Sequence, residues 1–570
     1  MSVTATSSAV IDQPDSLEKT LSQLQVGQRG YIQKIEGPEA FRQRIQEMGL
    51  VPGEEIYVER IAPLGDPIVI RIQGYLLGLR KEEAQLIYLS DELSADENPQ
   101  LMADPLHSQK GTIPGIMALV GNPNSGKTSL FNGLTGLHQR VGNYPGITVE
   151  KREGAFQLDG DEIIQLLDLP GTYSMGATSP EEKIAVDILN NQAIGVEPVE
   201  GVIIAMDANN LARNLLLFTQ VADLGLPIIV ALTMCDMALR RGRPVNTEKL
   251  EQYLGVPVIP MNAKKKQGFT ELKKALHHIR KPSSGQWHSP NESSDHNDVN
   301  IRARYRWISS VVNDVVGKQD ALLTFSDRLD KLLVHRVAGL AFFAAIMTTV
   351  FFIIYTLADP LMGMVEDGVG NLGNFLFSSM NEGALKSLLL DGIVGGVGGV
   401  LVFIPQIALL FLCIALLEES GYLARAAFLL DRVLAAFGLH GKSFIPMLSS
   451  HACAIPGIMA ARTIESDRDR KVTMFVAPFM SCGARLPVYT LLIGVFLAPY
   501  GAAVQSFALM ACYLTGIFAA ILVAWALRKT ALREPPAAFL LELPLYQSPQ
   551  LLQVFRVVFR NSMLFVKKAT

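Results

Sequence analysis

The octapeptide Gly121-Asn122-Pro123-Asn124-Ser125-Gly126-Lys127-Thr128 has the spacing G-x-x-x-x-G-K-[ST] of a phosphate-binding loop. The apolar run Ile116–Val120 precedes it and predicts a strand, and Ser129–Leu134 follows and predicts a helix. In such a loop the backbone N–H groups surround the phosphates of a nucleotide. A strand, a glycine-rich loop and a helix in this order predict a P-loop domain that binds a nucleoside triphosphate.

The side chains of this loop have expected roles. Lys127 is predicted to reach the β- and γ-phosphates, and the Thr128 hydroxyl is predicted to bind Mg²⁺. The remaining residues of the predicted phosphate cradle are Gly121, Asn122, Asn124, Ser125, Gly126 and Ser129. Because Lys127 also stabilises charge on the transferred phosphate, we count it as a predicted catalytic residue.

Two further motifs follow in the order typical of GTPases. Thr148, in Gly146-Ile147-Thr148-Val149-Glu150, stands where a switch I threonine closes on Mg²⁺ and the γ-phosphate. Asp168-Leu169-Pro170-Gly171 has a Walker B aspartate, a third predicted Mg²⁺ ligand, and a switch II glycine. Thr148 and Gly171 therefore join Lys127 as predicted catalytic residues.

The choice of base is predicted from two later motifs. Thr233-Met234-Cys235-Asp236 ends a predicted strand where guanine-specific enzymes have [NT]-K-x-D. Asp236 is predicted to accept hydrogen bonds from guanine N1 and N2, with a second contact from the backbone at Asn262 and Ala263. Together these motifs predict GTP rather than ATP; the alternative is that Asp236 only caps a helix.

Two residues depart from the usual GTPase pattern. Thr172 stands where many small GTPases have a glutamine that orients the attacking water, so we expect slow intrinsic hydrolysis. Met234 replaces the lysine that usually lies along the base. We therefore expect modest nucleotide affinity and fast exchange.

Composition indicates a chain that is part soluble protein and part membrane protein. The 570 residues are 49% hydrophobic and 18% charged, and nearly all long uncharged runs follow Arg336. The net charge of -4 and the lack of a basic arm give no reason to expect a nucleic-acid partner. The polar segment 1–16 is unlike a signal peptide, so we expect the soluble half to stay in the cytosol.

Patterns along the chain predict a multidomain protein. Short alternating runs indicate a small SH3-like β-barrel, and alternating strands and helices indicate an α/β P-loop GTPase domain. A helical domain and a polytopic α-helical membrane domain are predicted to follow. The predicted boundaries are 17–92 for the barrel, 93–112 for a linker, 113–280 for the GTPase domain, 281–333 for a linker and helical (GDI-like) domain, 334–534 for the membrane domain with a gate-like region at 443–490, and 535–570 for an amphipathic C-terminal segment.

Four apolar runs in the second half are candidate membrane spans, at 337–358, 393–417, 472–498 and 504–527. Each is long enough to cross a hydrocarbon core of about 30 Å. The Lys and Arg residues fall on one side only if Ser443–Ala461 enters and leaves on the same face, so a re-entrant or broken segment is predicted there. The acidic stretch 359–391 is then predicted to be an external loop.

The chain closely resembles the ferrous iron transport protein B (FeoB) family, in which a GTPase domain is joined through a helical domain to a polytopic membrane domain. The motifs that carry this resemblance are Asn143–Glu150, Asp168–Ser174, Ala303–Tyr305, Glu418–Arg425 and Met480–Pro487. The N-terminal barrel resembles the family's small partner protein, FeoA, through Arg44–Gly53, Pro63–Pro67 and Leu79–Ala84. The chain therefore looks like a fusion of the two.

This resemblance implies GTP-dependent or GTP-gated uptake of Fe²⁺ across the bacterial inner membrane, with the N-terminal domains in the cytoplasm. It also implies that Asn124 recruits K⁺, which partly replaces an arginine finger. Family members continue through further membrane helices, so we expect the family's C-terminal transmembrane part to be missing here. A homo-oligomer or a complementing membrane chain is then expected to close the pore.

Polar residues within the apolar half are the expected Fe²⁺ pathway. An uncompensated charge at membrane depth costs at least about 2.5 kcal/mol, so such residues are functional candidates. Fe²⁺ accepts thiolate, imidazole and carboxylate ligands together. The candidates are Cys453, Cys482, His451, Glu418 and Glu419. Each also has a structural interpretation, which is packing for the cysteines, backbone capping for the histidine and an interfacial helix end for the glutamates.

Two other functions stay open from the sequence. One is a membrane-anchored regulatory GTPase without transport, and the other is an importer of Mn²⁺ or Zn²⁺. A simple anchor needs only one plain apolar helix, so four candidate spans with a broken one among them favour transport.

Overall fold

The computed structural model describes residues 19–62, 65–73, 75–90, 105–110, 115–136, 139–143, 150–158, 162–176, 180–193, 196–282, 297–317, 333, 335, 338–378, 383–436, 439, 441–464, 466–482, 485–530, 541–542, 546, 549 and 551–569. The chain divides into two compact units. The first comprises Met1–Arg60, Ile70–Tyr75 and Lys81–Leu322, and the second comprises Ile61–Val69, Leu76–Arg80 and Leu323–Thr570.

The N-terminal β-domain, residues 19–90, contains the predicted antiparallel strands. These are β1 (Lys19–Thr20), β2 (Arg29–Ile35), β3 (Glu55–Ile61), β4 (Ile68–Ile72), β5 (Tyr75–Leu79) and β6 (Ile87–Ser90), in the sheet order β1-β6-β2-β3-β4-β5. Helix α1 (Glu39–Glu47) lies between β2 and β3 along the chain, and α2 (Lys81–Ala84) is a single turn. Alternate strand residues such as Ile32, Ile56 and Val58 are buried, as expected for a sheet with one face on a core.

A largely parallel sheet forms the centre of the nucleotide-binding domain. Its strands are β7 (Ser108–Lys110), β8 (Ile116–Gly121), β9 (Gln139–Asn143), β10 (Glu150–Gln157), β11 (Ile163–Asp168), β12 (Gly201–Asp207), β13 (Ile228–Thr233), β14 (Val258–Pro260) and β15 (Arg280–Pro282). The sheet order is β7-β15-β13-β12-β8-β11-β10-β9, and β14 pairs with β13. Strands β8, β11, β12, β13 and β14 run parallel, as the alternation of strands and helices predicted.

Helices cover both faces of this sheet. They are α3 (Lys127–Thr135), α4 (Pro180–Leu189), α5 (Leu211–Ala222), α6 (Cys235–Arg240), α7 (Thr247–Leu254), α8 (Phe269–Leu276) and α9 (Asn297–Val315). Ile203 and Ile229 share a core with residues of α3 and α8, whereas Val202 and Val230 share a core with residues of α5 and α9. Alternate residues of one strand thus enter two cores, which is why these strands are apolar throughout.

The segments predicted as flexible linkers each contribute a strand to this sheet. β7 and β15 pair antiparallel, with Lys110 opposite Arg280 and Ser108 opposite Pro282. Residues 108–110 and 281–282 of the predicted linkers are therefore paired in the sheet, because backbone pairing along a sheet edge needs little from the side chains. Helix α9, the described part of the predicted helical domain, buries Tyr305 and Ile308 in the core beside α5.

The second unit is mainly helical. Its helices are α10 (Ala338–Phe377), α11 (Ala384–Ser387), α12 (Gly395–Leu401), α13 (Ile404–Glu419), α14 (Tyr422–Ala436), α15 (Phe444–Ala452), α16 (Ala454–Ala460), α17 (Asp467–Val476), α18 (Leu486–Phe496), α19 (Ala502–Lys529) and α20 (Leu551–Ala569). A π-helical stretch, Leu388–Val394, joins α11 to α12. A short strand, β16 (Leu541–Glu542), pairs with residues 77–78 of β5.

Among the described residues, three helical stretches are long and apolar enough to cross a membrane: Ala338–Phe377, Ala384–Glu419 and Ala502–Leu527. The predicted span at 472–498 is wrong as one helix, because α17 ends at Val476 and Pro478 lies in a 3₁₀ turn before the chain becomes helical again at Leu486. The predicted loop at 359–391 is wrong over 359–377, where α10 continues through Pro360 with its acidic side chains exposed.

The predicted break in Ser443–Ala461 lies at Cys453. Helix α15 ends at Ala452, and Cys453 is extended, with φ −157° and ψ 134°, before α16 begins at Ala454. Pro456 lies in the first turn of α16, where a proline needs no N–H partner. The break therefore places a cysteine in non-helical backbone between two short helices.

Candidate functional site

Three neighbouring parallel strands position the phosphate-binding loop. β8 runs parallel to β11 on one side and to β12 on the other. Because the carboxyl ends of parallel strands meet at one edge of a sheet, the loop after Gly121 lies beside Asp168 at the end of β11 and Asp207 at the end of β12. Ligands of open α/β sheets bind at this edge.

The backbone of the loop depends on its glycines. Gly126 has φ +85° and caps α3, which begins at Lys127. A Cβ atom at Gly121 would lie 2.6 Å from the carbonyl oxygen of Ala205, so only glycine fits there. Asn124 has a left-handed backbone, with φ 65°, and an exposed side chain. The N-terminus of α3 thus follows a tight loop, the arrangement that binds phosphate.

Lys127 and Asp168 form an ion pair. Lys127 Nζ lies 3.5 Å from Asp168 Oδ1, and both side chains are largely buried. Burial raises the pKa of the Asp168 carboxyl, and the positive charges of Lys127 and Arg152 oppose that rise. The two residues predicted to bind phosphate and Mg²⁺ are therefore adjacent.

Two polar side chains of the loop are buried without hydrogen bonds among the described residues. Both amide atoms of Asn122 and the hydroxyl of Ser125 are inaccessible and have no partner. A buried polar group left unbonded costs about 1–3 kcal/mol, so such groups are expected to have a ligand in the working protein. Together with the carboxylate of Asp168 and the hydroxyl of Thr128, they fit a nucleotide with a hard cation such as Mg²⁺.

Thr233 connects the base-recognition strand to the phosphate-binding loop. Its hydroxyl donates to the carbonyl of Ser125 at 2.7 Å, and the carbonyl of Met206 lies 3.1 Å away. The sequence assigned Thr233 to the nucleotide site but did not predict this contact. Its position is explained by β12 and β13 being parallel neighbours, since Asp207 pairs in register with Thr233.

We predict that Thr233→Val lowers nucleotide affinity about tenfold, because the buried Ser125 carbonyl loses its donor at a cost of about 1–3 kcal/mol. Titration with a fluorescent GDP analogue measures the effect. Thr233→Ser keeps the hydroxyl and serves as the matched control. Equal affinities for the valine and serine variants would contradict the anchoring role.

The predicted base-recognition residues lie on adjacent strand ends. Met234 has a left-handed backbone, with φ 57°, and begins α6, so Asp236 lies half-buried in the first turn of that helix. The Asn262 side chain accepts from the backbone N–H of Lys265 at 3.1 Å and so shapes the loop that contains Ala263. Because β13 and β14 pair in parallel, these two loops lie at the same sheet edge.

The switch II segment, residues 171–176, is packed against the phosphate-binding loop. A Cβ atom at Gly171 would lie 3.2 Å from Pro123, and the N–H of Thr172 donates to the Gly121 carbonyl at 3.3 Å. The Thr172 hydroxyl is fully buried and donates to the Ser174 carbonyl at 2.6 Å. The Thr172 hydroxyl is therefore engaged within switch II, and slow hydrolysis stays a prediction. Thr148 lies outside the described residues.

The candidate Fe²⁺ ligands are brought together only in part. Cys453 lies close enough to Cys482 for an electrostatic interaction, and His451 interacts with the backbone of Ser481. Glu418 and Glu419 lie at the end of α13. Among the described residues, no group of three or more His, Cys, Asp or Glu side chains has metal-binding geometry. The pathway assignment thus stays a prediction.

Fold and site together define a P-loop nucleotide-binding protein joined to a domain with candidate membrane spans. Four family profiles match the chain: the FeoA domain at residues 19–91, ferrous iron transport protein B at 116–276, nucleoside recognition at 400–496, and ferrous iron transport protein B C terminus at 509–560. The chain belongs to the ferrous iron transport protein B family and has an N-terminal FeoA domain. Its P-loop domain is the GTPase domain of that family.

Named relatives agree with this assignment. A protein of Porphyromonas gingivalis named Fe(2+) transport protein A/Fe(2+) transporter FeoB fusion protein is 34% identical over 96% of this chain and 76% of its own length. The Fe(2+) transporter FeoB of Leptospira biflexa is 36% identical over 79% of this chain and 74% of its own length. The structure of the cytosolic domain of L. pneumophila FeoB aligns with a TM-score of 0.31 and 35% identity, covering 36% of this chain and 100% of that domain.

The expectation that the family's C-terminal part is missing was wrong. Residues 509–560 match the family's C-terminal profile, and they include most of α19 and part of α20. The motif-based resemblance did not extend to this region, because its apolar helices lack the short polar motifs that identify the GTPase domain.

Proposed function

We propose that this chain takes up Fe²⁺ across the bacterial inner membrane under the control of GTP, with its FeoA and GTPase domains in the cytoplasm. The observation that carries this proposal is a complete phosphate-binding loop in the same chain as three candidate membrane spans. The names of the relatives, which are Fe(2+) transporters, support Fe²⁺ as the substrate.

The GTPase site acts through charge and position. Lys127 would exchange its ion pair with Asp168 for the β- and γ-phosphates, and Thr128, Asp168 and Thr148 would hold Mg²⁺, which would neutralise charge on the phosphates. The switch II N–H of Gly171 binds the γ-phosphate and so distinguishes GTP from GDP. By resemblance to the family, Asn124 recruits K⁺.

Gating fits this site better than pumping. The Thr172 hydroxyl is occupied within switch II, so hydrolysis proceeds without a side chain at that position to orient the water. A slow GTPase holds the pore open for as long as GTP remains bound. The pore itself is completed by a homo-oligomer or by a second membrane chain.

Anaerobic Fe²⁺ uptake into proteoliposomes tests the proposal. We expect uptake with GTP, and also with a non-hydrolysable GTP analogue, but little with GDP or without nucleotide. GTPase activity measured in K⁺ and in Na⁺ tests the cation assignment. Active GTPase without uptake in any condition would favour the alternative of a membrane-anchored regulatory GTPase, and faster uptake of Mn²⁺ or Zn²⁺ would reassign the substrate.

Cys453 is the pathway residue with the clearest structural setting, because it lies in extended backbone between two helices and near Cys482. We predict that Cys453→Ser slows Fe²⁺ uptake about tenfold, the order of effect seen when support for a metal is removed. GTP hydrolysis should be unchanged. Cys512→Ser, a half-buried cysteine within α19, is the matched control. Equal uptake by the two variants would remove Cys453 from the pathway.

A further inference from the structure

Helix α1 of the FeoA domain contacts the switch II segment of the GTPase domain. The Ser174 hydroxyl donates to Glu47 Oε1 at 2.6 Å, and Gln43 Nε2 donates to the Gly176 carbonyl at 3.4 Å. The side chains of Glu47 and Ser174 are almost completely buried. The contact thus begins three residues after the glycine that is expected to bind the γ-phosphate.

Arginine side chains enclose the aromatic residue of the same segment. The guanidinium of Arg44 in α1 lies 4.9 Å from the centre of the Tyr173 ring, and that of Arg213 in α5 lies 4.6 Å from it. Arg44 also approaches Glu47 at 3.5 Å and Glu182 of α4 at 3.4 Å. Tyr173 is therefore held between the FeoA domain and the GTPase core.

The FeoA side of this contact is itself hydrogen-bonded to other elements of the first unit. The Tyr305 hydroxyl donates to the Glu47 carbonyl at 3.1 Å, and the Ser309 hydroxyl donates to Glu54 at 2.7 Å. Arg243 donates to the Gln73 carbonyl at 3.1 Å. These bonds join the FeoA domain to α9 and to the loop after α6, so α1 is a rigid support for switch II rather than a loosely tethered neighbour.

We propose that the face of α1 formed by Gln43, Arg44 and Glu47 is a docking surface for switch II of the same chain, and that docking pre-organises switch II for the γ-phosphate of GTP. The FeoA domain is then an effector of the GTPase in cis. The proposal rests on GTP binding, which belongs to the proposed function, but not on iron transport.

The physical basis is a population argument. A ligand binds more weakly when only a fraction of the protein molecules has the binding segment in place. The apparent dissociation constant is then the intrinsic dissociation constant divided by that fraction. GTP contacts switch II through its γ-phosphate, whereas GDP has no such phosphate. Loss of docking should therefore weaken GTP binding selectively. By reciprocity, bound GTP should strengthen docking to the same extent.

Three substitutions in the full-length chain, purified in detergent, test this. Ser174→Ala removes the donor to Glu47, and Glu47→Gln removes the charge from the acceptor. Gly176→Ala inserts a methyl group 2.2 Å from Gln43 Nε2 and 2.8 Å from Glu47 Oε1, where the flexible side chains of α1 must move away. Glu39→Gln makes the same chemical change as Glu47→Gln at an exposed position of the same helix and is the control.

The readout is equilibrium binding of fluorescent GTPγS and GDP analogues. We expect about fivefold to tenfold weaker GTPγS binding for Ser174→Ala, the effect of losing one hydrogen bond to a charged group, with GDP affinity changed less than about twofold. The Ser174→Ala/Glu47→Gln double variant should lose less than the sum of the two single variants, because both changes act on the same hydrogen bond. Glu39→Gln should behave as the unchanged chain.

Retained GDP binding shows in the same titration that each variant is folded. Equal losses for GTPγS and GDP, or no loss in any of the three variants, would overturn the proposal. Since the assay contains no iron, its result is independent of Fe²⁺ uptake. If the unchanged chain failed to take up Fe²⁺ but the variants lost GTPγS binding selectively, the transport proposal would be rejected and the docking proposal would stand.

Discussion

Replacement of Asp236 by asparagine is expected to exchange guanine for xanthine as the preferred base. The Asp236 carboxylate is predicted to accept from two donors of guanine, and hydrogen bonds to a charged group contribute about 1.5–3 kcal/mol each. Loss of both lowers GTP affinity about 10²- to 10⁴-fold. The asparagine amide can instead donate to the oxygen that xanthine has at position 2, so XTP binding should increase.

Competition of GTP and XTP for a fluorescent nucleotide measures this exchange. Glu248→Gln changes an exposed carboxylate in the first turn of the neighbouring helix α7 and should leave the preference for GTP unaltered. If Asp236→Asn binds GTP and XTP as the unchanged chain does, Asp236 is a helix-terminal residue and the base is recognised elsewhere. The same variant should restore Fe²⁺ uptake with XTP if GTP controls the pore.

The second large effect is expected at Arg80, within the helical unit. Its guanidinium forms a two-pronged pair with Asp431 of α14, with Nε–Oδ2 at 3.0 Å and Nη2–Oδ1 at 2.8 Å. The Asp431 side chain is completely buried, and among the described residues it also accepts from the N–H of Gly441 at 2.8 Å. Removal of one member of a buried pair leaves an uncompensated charge and costs about 3–5 kcal/mol.

We therefore expect Arg80→Ala to lower the opening free energy of α14 by about 3–5 kcal/mol, measured as faster hydrogen exchange in that helix and at Gly441. The Arg80→Ala/Asp431→Asn double variant should recover part of this loss, because it removes the unpaired charge. Arg71→Ala is the control, since its pair with Glu59 is solvent-exposed and is expected to contribute about 0–1 kcal/mol. Equal exchange in the two arginine variants would show that Arg80 does not stabilise α14.

Much of the GTPase domain could be predicted from local patterns. Ile116–Val120 was predicted as a strand and is the main part of β8, and the helix predicted at Ser129–Leu134 lies within α3. A strand was also predicted to end at Thr233-Met234-Cys235-Asp236, and β13 ends at Thr233. These predictions succeeded because a buried parallel strand needs a continuous apolar run, which is visible without any knowledge of its neighbours.

The helical half could be predicted less well. Hydropathy located the regions of the three candidate spans but added 472–498 as a fourth, although Pro478 and the residues before Leu486 interrupt it. Hydropathy measures the average apolar character of a window and does not detect where a helix breaks. The acidic stretch after Asp359 was predicted as an external loop from the distribution of Lys and Arg residues. In the structure the helix continues to Phe377, because a helix surface accommodates the acidic side chains.

By itself, the sequence determined the order of domains and the position of the phosphate-binding loop, because glycine spacing and apolar periodicity act over a few residues. The guanine contacts that it assigned to Asp236, Asn262 and Ala263 stay predictions. Only the tertiary structure decided that Thr233 holds the loop, that Ser174 bonds to Glu47 and that Arg80 meets Asp431. The last two pairs are separated by 127 and 351 positions along the chain. No local pattern encodes such pairs, since they depend on how separately formed elements pack.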